Sequence, residues 1–196
     1  MCRKLALISL SCLYLLLSRA ACADPPASLP ERVKLDAAWI KEESPELGGL
    51  AVVEMVANFY RQPLTEDQKD WLRACSKKTS GITGNDLLMV MKTAEYEAVI
   101  FSGELSPQEP AGLYYQLRQR RPLMVMVTSK DGRNSHFDLI VGYNQNQAKL
   151  YFIDPSTGPL TLSTRDFAPA WEKAHCFTLL AMPEKLVDPS APSKHH

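Results

Sequence analysis

Residues 135–158 read SHFDLIVGYNQNQAKLYFIDPSTG, and the fold is decided there. Ser135 to Tyr143 and Lys149 to Ile153 are apolar runs of strand length, rich in β-branched and aromatic residues. Asn144 to Gln147 between them reads as a hairpin turn, and Asp154-Pro155 with Gly158 ends the second run in another turn. Leu123 to Thr128 and Phe177 to Met182 are two more runs of the same kind. Short links between such runs predict an antiparallel sheet in the C-terminal half.

Upstream the period changes. Leu50, Val53, Val56, Ala57 and Tyr60 recur at helical spacing. Thr65 with Gln68 forms a capping box for a helix through Cys75. Asn85 to Glu95 predicts a third helix. Ser106-Pro107 with Glu109 combines an N-cap, a proline at the first helical position and a capping acid, predicting a helix to about Arg120. Thr164 to Trp171 predicts a last short one. A helical N-terminal half packed on a C-terminal antiparallel sheet is an α+β arrangement.

The ends read differently. Arg3-Lys4, an apolar run from Leu5 to Leu17, and Ala21-Cys22-Ala23 follow the layout of a secretory signal peptide over 1–23, with cleavage after Ala23. The run is short for a membrane span, so no stable span is expected after cleavage, and a periplasmic or secreted protein is expected. Residues 24–37 form an N-terminal extension, 38–182 the folded domain, and 183–196 a flexible tail rich in Pro, Ser and Lys. The 196-residue chain has 22 basic and 22 acidic side chains. That balance argues against a nucleic-acid binder. Loss of Arg3, Lys4 and Arg19 with the signal peptide makes the mature chain mildly acidic. Cys75 and Cys176 are the cysteines that remain, either as a disulfide or as two buried thiols.

The wording of the central region resembles the C39-like peptidases, a branch of the papain-like cysteine-protease fold, over roughly Ala38 to Met182. Gly48-Gly49-Leu50-Ala51 followed by Met55-Val56 and Phe59-Tyr60 resembles the nucleophile helix. His136-Phe137 with Val141-Gly142-Tyr143 resembles the histidine strand, and Asp154-Pro155 with Gly158 the acid position. Phe167, Trp171 and Leu179-Leu180 resemble the usual end of the domain. The resemblance implies a Cys, a His, an Asp and an oxyanion-binding Gln. Here the position resembling the Cys is Gly48. The position resembling the Gln is Glu42, or Glu43 in a register one residue away.

Both departures oppose catalysis. A thiol at a helix N-terminus is activated by the unpaired N–H groups there and by a neighbouring imidazole. Glycine supplies no attacking atom. A carboxylate in place of an amide repels the charge that develops on the substrate oxygen. The resemblance thus implies an inactive relative, with Glu42, Gly48, His136 and Asp154 as family-site positions. Asp138, two residues after His136 on the same strand face, is an alternative partner for the imidazole. No cofactor is expected, and no metal, since no H-x-x-x-H or C-x-x-C spacing exists. Trp71, Trp171 and the paired methionines read as core, and Arg118, Arg120 and Arg121 as favourable charge at a helix C-terminus. The expected function is binding of an exported peptide or protein, linked to secretion or assembly. The alternatives are an active cysteine peptidase using Cys75, and a purely structural accessory protein.

Overall fold

A computed structural model describes residues 30–129 and 131–185. The expected signal peptide and most of the expected tail lie outside the described residues. Four strands fall where the sequence predicts them: β3 (Leu123–Thr128), β4 (Ser135–Asn144), β5 (Lys149–Asp154) and β7 (Phe177–Pro183). Three more join them: β1 (Arg32–Lys34), β2 (Tyr96–Ser102) and β6 (Gly158–Ser163). The sheet has seven strands in the order β2-β7-β3-β4-β5-β6, with β1 paired to β4 and every named pairing antiparallel. The protein is α+β, with helices packed on an antiparallel sheet.

The helices are α1 (Gly48–Phe59), α2 (Glu66–Thr79), α3 (Gly84–Thr93), α4 (Leu113–Arg118) and α5 (Thr164–Lys173). The Thr65–Gln68 capping box is present: each residue's side chain accepts from the other's backbone N–H. The same device starts α3 through Thr83 and Asp86. α1 buries nine of its twelve residues, among them Val52, Val53, Met55, Val56 and Ala57 at 0% exposure. It packs against β4.

Two expectations are corrected. The helix expected from Ser106 to about Arg120 starts only at Leu113. Ser106 does accept from the N–H groups of Gln108 and Glu109. Pro110, however, would be the fourth residue of that helix. It has no N–H to return to Ser106, and its ring crowds that turn. The chain instead closes a loop in which Leu113 N–H donates to the Glu104 carbonyl at 2.8 Å. Trp71, expected in the core, is 42% exposed. α2 buries Leu72 and Ser76, and Trp71 sits about 100° round the helix from Leu72, against Met89 in a surface groove. Trp171 is buried as expected and stacks on Phe167. Of the methionines, Met91 and Met124 are core, whereas Met89 is exposed.

β4 is the strand with the most neighbours. Ser135 to Ile140 pair with β3, Leu139 to Asn144 with β5, and Gly142 to Asn144 with β1 as well. β1 can approach because residue 142 is glycine: a Cβ there would stand 2.3 Å from the Val33 carbonyl oxygen and 2.9 Å from Lys34 Cα. Backbone cannot yield as a side-chain tip can. Gly142→Ala is therefore expected to destabilise the fold by about 1–3 kcal/mol, read as a lower urea midpoint. An unchanged midpoint would show that β1 is not seated there.

Candidate active site

α1 begins at one end of the sheet. A 3-10 turn, Pro45–Leu47, leads into it, and the Gly48 N–H donates to the Pro45 carbonyl. The preceding segment is tied to the turn after β5. Glu42 N–H donates to the Pro155 carbonyl at 3.1 Å, and Trp39 Nε1–H donates to the same oxygen at 3.3 Å. This double anchor carries the Glu42 side chain over the start of α1. A Cβ on Gly48 would lie 2.7 Å from Glu42 Oε2. A carboxylate oxygen thus fills the space that a side chain at residue 48 would enter. Glu43 points elsewhere and pairs with Arg73 of α2 at 2.9 Å.

His136 opens β4 with its side chain half exposed, and its Nε2 lies 3.6 Å from Asp138 Oδ1. Asp138 is buried, its side chain only 5% exposed. Asp154, at the end of β5, holds its own turn. Oδ1 accepts from the N–H groups of Ser156 (2.7 Å) and Thr157 (3.3 Å), and Oδ2 accepts from Thr157 Oγ1 at 2.9 Å. The structure brings Glu42, Gly48, His136 and Asp154 together around one open cleft of about 630 Å³, which Ile82 and Ser156 also line. Asp138, rather than Asp154, is the acid in ion-pair range of the imidazole.

The charges in this cleft act on one another. Burial pushes the Glu42 carboxyl above its ordinary value, and Asp154 adds to that, partly offset by His136. Burial also acts to raise Asp154, but the donors from Ser156 and Thr157 outweigh it and hold the group low. His136 is raised, chiefly by Asp138 and further by Asp154 and Glu42, against the opposing effect of burial. Asp138 is raised, because desolvation exceeds the help it receives from His136.

Among the described residues no thiol faces the imidazole. Cys75 and Cys176 are both free, and neither lines the cleft. Burial pushes both thiols up, reinforced by Asp86 at Cys75 and by Glu172 at Cys176, which reduces thiolate at neutral pH. The Ser135 hydroxyl is paired with Thr128 Oγ1 at 2.9 Å. Among the described residues no hydroxyl or thiol is hydrogen-bonded to His136. The contribution of Trp39 left no mark in the sequence pattern: a lone tryptophan before the nucleophile helix has no periodicity to betray it.

The family model of the peptidase C39 family matches residues 36–183. This chain belongs to the peptidase C39 family. Among solved structures it is similar to a double glycine motif protease from an AMS/PCAT transporter in complex with the leader peptide. The TM-score is 0.58 at 15% identity, covering 77% of this chain and 94% of that one. It is also similar to a C39-like peptidase from Bacillus anthracis (TM-score 0.59, 14% identity, 77% and 97% covered). A third is the peptidase domain of Streptococcus ComA, a bifunctional ABC transporter of quorum sensing (0.55, 16%, 76% and 99%). At these identities the likeness is one of fold. No curated protein matches. Among the described residues of this C39 family member no helix is long and apolar enough to cross a membrane.

Glu42 supplies a test of this geometry. Its folded pKa lies above its ordinary value, so ionising it as pH rises costs the folded state stability. Glu42→Gln removes that cost. The variant is expected to melt at or above the wild-type temperature at pH 7, with the difference vanishing below about pH 4, where an ordinary glutamate is largely protonated. A difference independent of pH would show that Glu42 is not held against these charges.

Proposed function

We propose that this protein is a catalytically silent member of the C39 family that uses the cleft to bind an extended peptide, and that it does so after export, in the periplasm or outside the cell. The observation that carries this reading is the Glu42 carboxylate over Gly48. The atom that would attack is missing, its space is taken by a group of the wrong charge, and the cleft beside it is still open. An extended peptide binds such a cleft through main-chain hydrogen bonds and pockets for alternate side chains. The likeness to a protease crystallised with a leader peptide makes leader-type segments of exported polypeptides the first ligands to try. A role in secretion or assembly of such a polypeptide follows from that reading.

Fluorescence anisotropy with labelled leader peptides, followed by mass spectrometry of the same mixtures, tests both halves of this function. Saturable binding with no cleavage product is expected. Asn134→Trp, on the cleft rim, is expected to weaken binding at least tenfold. Cleavage that stops on Cys75→Ala would overturn the reading.

Restoring the sulfur alone is not expected to restore turnover. In Gly48→Cys the new Cβ meets Glu42 Oε2, and the acid still opposes the developing oxyanion. Loss of one oxyanion donor costs about 100-fold or more. Gly48→Cys with Glu42→Gln is the variant expected to give a trace of peptidase activity. Full activity in the single variant would show that Glu42 does not block the site.

A further inference from the structure

His136 lies beside two carboxylates, Asp138 and Asp154. Leu139 and Ile153 are the last pair of the β4–β5 register, and Asp138 and Asp154 are the next residue on each strand, with donor atoms within 4.8 Å of each other. Two carboxylates this close repel. Asp138 is 4% exposed, and its Oδ1 has no hydrogen-bond partner. An unpaired buried acceptor of this kind is costly and uncommon. His136 Nε2, at 3.6 Å, is too far to donate a hydrogen bond to it.

One donor atom each from His136, Asp138 and Asp154 lie within 4.8 Å of one another, and among the described residues no other such group of three or more His, Cys, Asp or Glu side chains occurs. We propose that these three side chains form a binding site for a divalent transition-metal ion. An ion with bonds of about 2.0–2.2 Å holds tetrahedral ligands about 3.4 Å apart. The His136–Asp138 separation of 3.6 Å is already close to that, and Asp154, within 4.8 Å of both, needs to close by at most about 1.4 Å. Its Oδ2 accepts from the Thr157 hydroxyl, which can rotate away, while the Ser156 and Thr157 N–H groups keep the carboxylate aimed. The ion would satisfy the orphaned oxygen and cancel the cross-strand repulsion. One imidazole with two carboxylates suits zinc and its neighbours better than magnesium or calcium, which take all-oxygen shells. His136 and Asp154 face the open cleft, which gives the ion a way in. The site stands independently of peptide binding.

The full-length protein, stripped with EDTA, is titrated with ZnCl2 by calorimetry and by thermal melting, with MgCl2 in parallel. One equivalent of zinc is expected to bind with a rise in melting temperature, and millimolar magnesium is expected to give none. Cobalt(II) is expected to give visible absorption bands. His136→Ala and Asp138→Asn are each expected to lower zinc affinity at least tenfold and to abolish the cobalt bands. The His136 side chain is half exposed, so its variant answers the question even if Asp138→Asn fails to fold. No zinc effect on the wild type, or equal affinity in wild type and His136→Ala, would overturn the site and place any bound zinc elsewhere on the chain.

Discussion

Every backbone polar group of a buried strand must find a partner, and the buried part of β4 meets that demand because three other strands border it. β3 pairs with it as far as Ile140, β5 from Leu139 onward, and β1 from Gly142 to its end. The close approach of β1 rests on the missing side chain at Gly142. With β4 fixed, α1 lies across it through an almost wholly buried face. His136 and the first residue of α1 are then brought to the same end of the sheet. The cleft is a consequence of that arrangement and does not depend on any catalytic residue being present.

A second constraint operates at the cleft. One carbonyl, that of Pro155, receives both the Glu42 N–H and the Trp39 indole N–H. It joins the entry to α1 to the turn that Asp154 stabilises. Two acids from distant parts of the chain are held near one imidazole as a result, and a third, Asp138, is buried beside it. Burial raises the proton affinity of Glu42 and the Asp154 charge adds to it, whereas at Asp154 the donors of its own turn outweigh burial.

Much of this was legible in the sequence, for identifiable reasons. The hairpin from Ser135 to Ile153 has turn residues on both sides and strong β formers between. α2 carries its own capping box. The strands that escaped notice lacked such marks. β1 is three residues long and exists only because β4 offers an edge. β6 opens with Gly158-Pro159, which reads as more turn. β2 follows α3 with only Ala94 and Glu95 between them, so no turn residue marks its start. The overextended helix at Ser106 was a local signal cancelled four residues later by Pro110. At the site, the order of Glu42, Gly48, His136 and Asp154 was visible as a resemblance. The choice between Asp138 and Asp154 as the neighbour of His136, and between Glu42 and Glu43 over Gly48, needed three dimensions.

The two unbridged cysteines have a consequence for handling. Cys75 and Cys176 are held mainly as neutral thiols, and the neutral form is slow to exchange or oxidise. No covalent staple between them takes part in this architecture. The folded domain should therefore keep one and the same connectivity whether its surroundings are reducing or oxidising, and its assembly needs no disulfide catalyst to form a Cys75–Cys176 bond.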